Sequence, residues 1–378
     1  MPRLSSRGSS LTKGESEREN KGKITNQMIL VLILGISIGC LFSIAWDTKS
    51  VFHQQFLGTT RDNNNNNNGL AGHEKKEDDD ETKYVDKLKR FQKYYQTYQY
   101  IPPASRYDYD PVPHKTCGTD DFSKWWQLNL KDRSRHGEDK IIYETFFKNY
   151  SSSSTTTSVG TYVEIGAYNG RLESNTRFFD LCLGWKGLLV EGNPDNYQGT
   201  IANRRYAHRM SLAPSCDAAY EAANQTIPFY RYPMTNAGLV GHAKTYEGKP
   251  TVDVPCGPFA PILRDIFDNE GNALPTIDFF SLDVEGAEPL VLSTIDFKNI
   301  RIHVMMIEVV NSHCGNICQT RNDVRAKMEA EGYLRYEGLV RNSDVYVHPQ
   351  SPFQIPTSVR RAAAATTTTA TSMSSSSD

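Results

Sequence analysis

Hydrophobic and polar positions divide the chain into one long apolar run, one amphipathic helix and a series of short apolar segments. Residues 28–46 form an uncharged run of 19 residues, MILVLILGISIGCLFSIAW. As a helix, this run is about 28 Å long, close to the thickness of a bilayer's hydrocarbon core. A buried core helix would normally carry a polar face. The pattern therefore predicts a transmembrane helix at 28–46.

Charges on either side of this run predict its orientation. Four basic residues lie just before it, Lys13, Arg18, Lys21 and Lys23, whereas only Lys49 and Arg61 lie within a similar distance after it. The positive-inside rule predicts a cytosolic N-terminus, a single-pass type II topology and a folded part facing the lumen of the Golgi or the endoplasmic reticulum. A cleaved signal peptide, with small residues at Ser43-Ile44-Ala45, is the alternative, although signal cores usually have only ~7–15 apolar residues.

Composition separates a folded part from its flanks. Residues 1–27 are polar and charged, 47–80 contain an asparagine run and an acidic run, and 349–378 are mostly Ser, Thr and Ala. Such segments bury too little apolar surface to fold. We therefore predict a disordered cytosolic tail (1–27), a low-complexity linker and helical stem (47–116), one domain (117–348) and a disordered tail (349–378). The net charge of −2 favours no nucleic-acid partner.

The stem shows a helical pattern over residues 82–100. Its apolar residues recur every three or four positions: Val85, Leu88, Phe91, Tyr95 and Tyr98. This face needs a partner. The helix either dimerises as a short coiled coil or docks on the domain, and the pattern leaves both open.

Cysteines and glycosylation sequons agree with export. Six of the seven cysteines follow the apolar run, at 117, 182, 216, 256, 314 and 318, an even number suited to an oxidising compartment. His313, Cys314 and Cys318 resemble part of a zinc site, but without a second CxxC pair we favour a disulfide or buried thiols. Asn149-Tyr150-Ser151 and Asn224-Gln225-Thr226 are acceptor sequences for N-glycosylation.

A strand, glycine turn and helix are predicted from residue 160 onward. A β-prone run at 160–166 ends at Gly166, a turn reaches Gly170, and a helical pattern covers 173–183. The next apolar strand, 187–190, ends at Glu191, 21 residues after Gly170. In dinucleotide-binding folds, an acid about 20 residues beyond the glycine turn binds the cofactor's ribose.

The glycine pattern favours an adenosyl cofactor without a pyrophosphate. The turn reads E-x-G-x-x-x-G and lacks the third glycine of the dinucleotide fingerprint. S-adenosylmethionine has no pyrophosphate and carries a positive sulfonium, with which Glu164 is placed to interact. A tight turn without any ligand is the structural alternative.

Two later strands complete an α/β pattern. Residues 276–283 form an apolar strand that ends at Asp283, a helix is predicted at 287–295, and a strand at 302–310 carries Glu308 near its end. Alternating strands and helices predict a doubly wound, mostly parallel sheet, whose ligands bind at the carboxyl ends of the strands. Four acids lie at or near such ends: Glu164, Glu191, Asp283 and Glu308.

Four stretches form a recognisable set: VEIGAYNG, GWKGLLVEGNPDNY, VPCGPFAPIL and IDFFSLDVEGAEPLVL. In their order and spacing, they resemble the FkbM family of S-adenosylmethionine-dependent methyltransferases over residues 162–347. The resemblance implies a Rossmann-like fold of the class I methyltransferase type. It also implies residue roles: cofactor contacts at Glu164, Gly166, Gly170 and Asn193, ribose binding by Glu191, and a methyl-transfer site at Asp283 and Glu285. Asn169 and Gly192 depart from the Asp and Pro that are common in similar chains.

The resemblance implies O-methylation, with a glycan or another hydroxyl compound as acceptor. Transfer to a hydroxyl needs a base, for which Asp283 is the first candidate, as base or as metal ligand. Glu285, Glu308 and His313 are second candidates. A divalent metal is left open, since no ligand spacing identifies one.

Three other functions compete with this hypothesis. A glycosyltransferase would carry its DxD motif after a strand, whereas Asp108-Tyr109-Asp110 lies in a proline-rich spacer. The missing third glycine disfavours an NAD-dependent dehydrogenase. A non-catalytic membrane protein that uses this domain for binding or trafficking is the main alternative.

Overall fold

The computed structural model describes residues 71–104, 116–118, 121–149, 159–223, 225–243, 246–268, 274–309 and 318–353, with side chains from Thr82 onward. The chain divides between Lys75 and Lys76 into two units, of which the second, 76–378, contains the described strands. No helix within the described ranges is long and apolar enough to cross a bilayer. The predicted span at 28–46 lies outside these ranges, as do the DxD sequence at 108–110 and His313.

Helices and strands alternate through most of the second unit. The strands are β1 Thr161–Ile165, β2 Lys186–Val190, β3 His208–Met210, β4 Thr226–Tyr230, β5 Thr251–Pro255, β6 Thr276–Leu282, β7 Arg301–Glu308, β8 Leu334–Tyr336 and β9 Ser343–Val347. The α-helices are α1 Ala71–Tyr94, α2 Ser123–Trp126, α3 Glu138–Ile142, α4 Arg177–Leu181, α5 Pro194–Asn203, α6 Ala218–Ala222, α7 Phe259–Phe267, α8 Glu288–Ser293 and α9 Gln319–Ala330. Short 3₁₀ turns cover Gln96–Tyr98 and Leu130–Asp132, and a π-helical turn covers Tyr143–Phe147.

Seven strands form one sheet in the order β3-β2-β1-β6-β7-β9-β8. The first five of these run parallel, and β9 pairs antiparallel with both β7 and β8. Strands β4 and β5 form a separate antiparallel hairpin. The predicted α/β class with a mostly parallel sheet is confirmed. Its strands are apolar runs because a parallel sheet is buried on both faces.

Two apolar layers cover the sheet. Along β1, Val163 and Ile165 contribute to one layer and Tyr162 to the other, as the alternation of side chains in a strand requires. Helices α7, α8 and α9 pack in the first layer, and α2, α3 and α4 in the second. The carboxyl ends of β1, β2, β6 and β7 therefore meet at one edge of a rigid core.

The end of the stem packs on the domain. Phe91, Tyr95, Tyr98 and Tyr100 are buried in the same layer as Val163. Three tyrosine hydroxyls find polar partners there: Tyr95 donates to Asp265 at 2.6 Å, Tyr98 donates to Glu221 at 2.5 Å, and Tyr100 pairs with His208 Nδ1 at 2.7 Å. The docking alternative is confirmed, and a dimer through the stem stays a prediction.

Packing contacts continue beyond both predicted domain boundaries. The core includes Phe91, well before residue 117, and Ile101 forms a backbone bridge with Arg209 beside β3. At the other end, Phe353 is buried with its ring centroid 4.6 Å from that of Phe147, beyond the predicted limit at 348. Local composition did not reveal these contacts because they are distant in sequence.

Two segments differ from their predicted secondary structure. Helix α1 begins at Ala71, so the acidic run at 77–81 is helical rather than an unstructured linker. The three Asp residues of this run are weak helix formers, whereas Glu74, Lys75 and Lys76 just before it are good ones. The helix predicted at 173–183 is limited to Arg177–Leu181. Its first residues form a loop because Ser174, Asn175 and Thr176 donate to Glu164 instead of continuing a helix.

Candidate functional site

Two open cavities lie at the carboxyl ends of β1, β2 and β6. The first has a volume of about 470 Å³, and its largely apolar lining includes Glu191, Leu212, Ala213, Phe229, Leu239 and Val291. The second, about 380 Å³, is more polar, and its lining includes Glu164, Tyr168, Glu173, Ser174, Asn175 and Ser281. Both are lined by Ile165, Gly166, Thr235 and Asp283. The shared residues mark the place where the two cavities adjoin.

Gly166 lies at this junction, in the turn that follows β1. Its φ is +83°, and a Cβ there would lie 1.8 Å from the carbonyl oxygen of Asp283. Only glycine therefore allows the ends of β1 and β6 to approach so closely. Gly170, with φ +70°, lines neither cavity, and a Cβ there would meet Arg204 Cγ at 2.6 Å. Gly170 therefore has a packing role, and its contact with a cofactor stays a prediction.

Asn169 stabilises the same turn. Its side-chain oxygen accepts hydrogen bonds from the backbone N–H of Arg171 at 3.0 Å and of Leu172 at 2.8 Å. Asn supplies the same acceptor oxygen as the Asp that is common in similar chains. The departure at this position therefore leaves the turn intact.

Glu191 joins the end of β2 to the glycine turn. Its carboxylate accepts from the backbone N–H of Tyr168 and of Asn193, both at 2.7 Å. Burial raises the pKa of Glu191 to about 7. The Asn196 side chain also hydrogen-bonds this carboxylate, which has about four acceptor sites. One site therefore remains for a ligand in the first cavity.

Asn193 has a structural role. Its side-chain oxygen accepts from Asp195 N at 2.9 Å, which makes it the N-cap of α5. Its amide group donates to the carbonyl oxygens of Tyr230 at 3.3 Å and Tyr232 at 2.9 Å. It lines neither cavity, and its contact with a cofactor stays a prediction. Asn193 instead ties α5 to the β4–β5 hairpin.

Glu164 belongs to a buried network around Arg204. Its carboxylate accepts from Ser174 Oγ at 2.8 Å, Asn175 N at 2.7 Å and Thr176 Oγ1 at 2.7 Å. The Arg204 guanidinium lies 3.5 Å from the same carboxylate. Because these donors come from the loop at 174–176, Glu164 fixes one wall of the second cavity. A direct contact with the sulfonium stays a prediction.

Arg204 is fully buried and connects this wall to the rest of the domain. It forms an ion pair with Asp180 at 2.9 Å and donates to Tyr162 Oη at 2.9 Å. It also donates to Ser174 Oγ at 2.9 Å and to the Gly170 carbonyl oxygen at 3.3 Å. A buried charge is tolerated only when it is paired and hydrogen-bonded in this way.

Three carboxyl groups gather beside the cavities. The oxygens of Asp283, Glu285 and Glu308 lie within 4.8 Å of one another. Burial, followed by the charge of Asp283, raises the pKa of Glu308 so that it stays protonated at neutral pH and hydrogen-bonds Asp283. Burial and the same charge raise the pKa of Glu285 to about 8. Hard cations such as Mg²⁺ prefer oxygen ligands of this kind, so the group could hold one.

A loop between β4 and β5 covers the site and was not predicted from the sequence. Thr235 lines both cavities, and the Tyr168 hydroxyl donates to the Pro233 carbonyl oxygen at 3.1 Å. On the opposite side, His242 Nδ1 lies 3.3 Å from the Gly286 carbonyl oxygen. The aromatic sequence FYRY at 229–232 was the available signal. Phe229 also explains Gly192, since a Cβ there would lie 2.7 Å from its ring.

Disulfides connect cysteines that are far apart in the sequence. Cys117 pairs with Cys182, and Cys216 pairs with Cys256. Cys318 is disulfide-bonded as well. This result agrees with the favoured alternative to a zinc site at 313–318.

Comparison with known proteins gives a family match for most of this domain. Residues 164–335 match the family described as the methyltransferase FkbM domain. The chain carries an FkbM methyltransferase domain. The matched range includes the acidic residues of both cavities and ends within β8. A search of curated proteins gave no match.

Two solved structures are weakly similar to the chain. One is precorrin-6y C5,15-methyltransferase from Geobacter metallireducens GS-15, with a TM-score of 0.25 and 13% identity over 52% of this chain and 82% of that one. The other is the mitomycin 7-O-methyltransferase MmcR, with a TM-score of 0.23 and 12% identity over 55% of this chain and 52% of that one. Similarities this low support no argument about the reaction.

The FkbM domain implies S-adenosylmethionine as cofactor, and the two cavities fit it. The described lining residues include four carboxylates, Glu164, Glu173, Glu191 and Asp283, and no Lys, Arg or His. This charge suits a ligand that carries a positive sulfonium. The first cavity adds an apolar surface beside the Glu191 carboxylate, as an adenosine group requires.

Proposed function

We propose that this protein is an S-adenosylmethionine-dependent O-methyltransferase that acts on a hydroxyl group of a glycan or a similar acceptor. The observation that carries the proposal is the position of Glu191, whose carboxylate is held against the glycine turn at the edge of an apolar cavity. The methyltransferase identity of the domain agrees with this geometry.

We assign the adenosyl end of the cofactor to the first cavity and its amino-acid end to the second. In the first cavity, Leu212 and Phe229 offer apolar surface, and Glu191 offers an acceptor for a ribose hydroxyl. In the second, Glu173 and Asn175 offer polar groups for an amino acid. When bound, the cofactor supplies an electrophilic methyl group.

Asp283 is the residue that we propose as the base. It lines both cavities at their junction, next to Gly166, and is partly exposed. The Asp283 carboxylate would accept the proton of the acceptor hydroxyl as that oxygen becomes nucleophilic. Glu308 supports this role by donating its own proton to the same carboxylate, which orients it. Glu285 completes the acidic side of the site.

We propose that the domain faces the lumen of the secretory pathway and that residues 28–46 anchor it in the membrane. The disulfides support this location because they are rare in proteins of the reducing cytosol. Asn149, in one of the two glycosylation sequons, is exposed and therefore accessible to modification. The acceptor would then be a lumenal hydroxyl compound, for which glycans are the first candidates.

The first test is calorimetric titration of the full-length protein with S-adenosylhomocysteine, the demethylated product. We expect saturable binding, loss of binding in Glu191→Ala and unchanged binding in Asp296→Ala, which removes a carboxylate outside both cavities. Absence of binding to the parent protein would contradict the proposal and favour a non-catalytic binding or trafficking module.

The second test separates cofactor binding from transfer. Labelled S-adenosylmethionine is incubated with the protein and a panel of neutral glycans, and transfer of the labelled methyl group is measured. Because Asp283→Asn keeps the shape of the side chain but removes its charge, we expect it to retain cofactor binding and to lose transfer. Undiminished transfer by this variant would exclude Asp283 as the base.

A further inference from the structure

The wall of the first cavity is a short segment that follows β3. Its four consecutive residues Leu212, Ala213, Pro214 and Ser215 all line the cavity. The segment is fixed on its N-terminal side by the sheet, where Glu191 N donates to the Met210 carbonyl oxygen at 3.1 Å. The cavity keeps its shape only if the other end of the segment is fixed too.

That other end is held by the disulfide between Cys216 and Cys256. Cys216 directly follows the wall, and Cys256 directly follows β5. Ala213 N donates to the Pro255 carbonyl oxygen at 2.9 Å, and Ser215 Oγ lies 3.4 Å from Cys256 Sγ. The disulfide therefore joins the wall to the β4–β5 hairpin, which supplies Phe229 on another side of the same cavity.

Packing also holds the first half of the wall, because Leu212 and Ala213 are buried and Ala213 forms a backbone bridge with Cys256. Toward Cys216, the described contacts are weaker. Helix α6 follows Cys216 and has no buried residue, although its Glu221 accepts a hydrogen bond from Tyr98. Within the wall itself, Pro214 accepts a hydrogen bond from Thr294 Oγ1 at 3.1 Å. For the half of the wall next to Cys216, a helix without buried residues and single hydrogen bonds are a weaker constraint than a covalent bond.

We infer that the Cys216–Cys256 disulfide is a positioning element of the cofactor cavity, so that tight binding of the adenosyl group depends on its formation. This inference rests on the proposed function, because it assigns the adenosyl end to the first cavity. It links cofactor binding to an oxidising compartment. Without the bond, the wall would be correctly placed in only a fraction of molecules, and the apparent affinity would fall to that fraction of its original value.

The other disulfide provides a matched control. Cys117 and Cys182 line neither cavity. The two bonds join residues 65 and 40 positions apart. Because loop entropy grows only with the logarithm of loop length, the two bonds should stabilise the fold by similar amounts. A difference between the two variants in ligand binding would therefore reflect the position of the bond.

The experiment compares C216S/C256S with C117S/C182S in the full-length protein. Calorimetry measures the affinities of S-adenosylhomocysteine and of adenosine, at a temperature where circular dichroism shows both variants to be folded. We expect C216S/C256S to bind both ligands about tenfold more weakly, as when the wall is formed in about a tenth of molecules. The control pair should bind like the parent.

The other outcomes would contradict either the positioning role of the disulfide or the proposed function. If the parent binds and C216S/C256S binds equally well, the disulfide has no positioning role. If the parent does not bind, the proposed function fails and the inference fails with it. If C216S/C256S does not fold, the apolar pair Cys216→Ala and Cys256→Val takes its place. Failure of both pairs to fold, while the control folds, would show a general role in stability instead.

Discussion

Replacing Gly166 with alanine adds a methyl group where the ends of β1 and β6 are closest. A Cβ there would lie 1.8 Å from the Asp283 carbonyl oxygen, whereas real contacts of this kind are almost never below 3.0 Å. The two strand ends would therefore have to separate by about 1.2 Å, the difference between these distances. Asp283 N donates to the Ile165 carbonyl oxygen at 3.1 Å, so this separation also weakens a hydrogen bond.

Gly332 allows the cost of this contact to be separated from backbone strain. It has nearly the same φ, +80° against +83°, but a Cβ there would meet nothing within 4 Å. Left-handed backbone conformation should cost each alanine variant about 1–2 kcal/mol. Forcing an extra methyl group into a packed core adds about 1–3 kcal/mol. Gly166→Ala should therefore lose about 2–5 kcal/mol in total, and Gly332→Ala only the first part.

Urea unfolding of the full-length variants measures both losses, provided that the slope m stays unchanged. A second measurement, the affinity for S-adenosylhomocysteine, should fall in Gly166→Ala because both cavities are lined by Gly166. It should stay unchanged in Gly332→Ala. Equal losses of stability in the two variants would refute the close approach of β1 and β6 at this position.

Three further predictions concern the stem and the buried charges. Phe91→Ala should lower the free energy of unfolding by about 3–5 kcal/mol, because the Phe91 side chain is only 6% exposed. Tyr94 is 69% exposed, so Tyr94→Ala should change this free energy by less than about 0.5 kcal/mol. Similar losses for the two variants in urea unfolding would contradict docking of the stem. Arg204→Met should cost about 3–5 kcal/mol in the same assay, because it removes the charge that pairs with the buried Asp180 carboxylate. Adding Asp180→Asn to the same chain should restore part of this loss; no recovery would contradict the pairing. The pKa of Glu191 is raised to about 7, so the native state binds more protons than the unfolded state near neutral pH. The free energy of unfolding should therefore fall by at most about 3 kcal/mol as the pH rises from about 4.5 to 7. The same pH dependence in Glu191→Ala would contradict the raised pKa.

The sheet and the glycine turn could be predicted because their signals are local. Apolar runs such as 276–282 are limited to the strand itself, and the acid that follows each run marks its carboxyl end. Parallel pairing then places Glu191 beside the glycine turn without any further information. The same logic placed Asp283 at the edge where the two cavities adjoin.

Other parts of the site depend on contacts that the local sequence does not show. Glu164 and Gly170 have the expected positions, but Arg204, 40 residues after Glu164, determines what both contact. The wall at 212–215 and the loop containing Thr235 carry no motif of their own. Both belong to the site only because the β4–β5 hairpin lies beside it, and this position is not encoded in a local pattern.

The chain before the predicted domain start also protects the edge of the sheet. Beside the edge strand β3, Ile101 exchanges two backbone hydrogen bonds with Arg209, at 2.9 and 3.1 Å, and Ser211 N donates to the Tyr98 carbonyl oxygen at 2.8 Å. An uncovered edge strand recruits strands from other molecules. A recombinant fragment that begins at Cys117 would thus expose the unpaired backbone groups of β3 and aggregate. A fragment that begins before Phe91 would keep them covered.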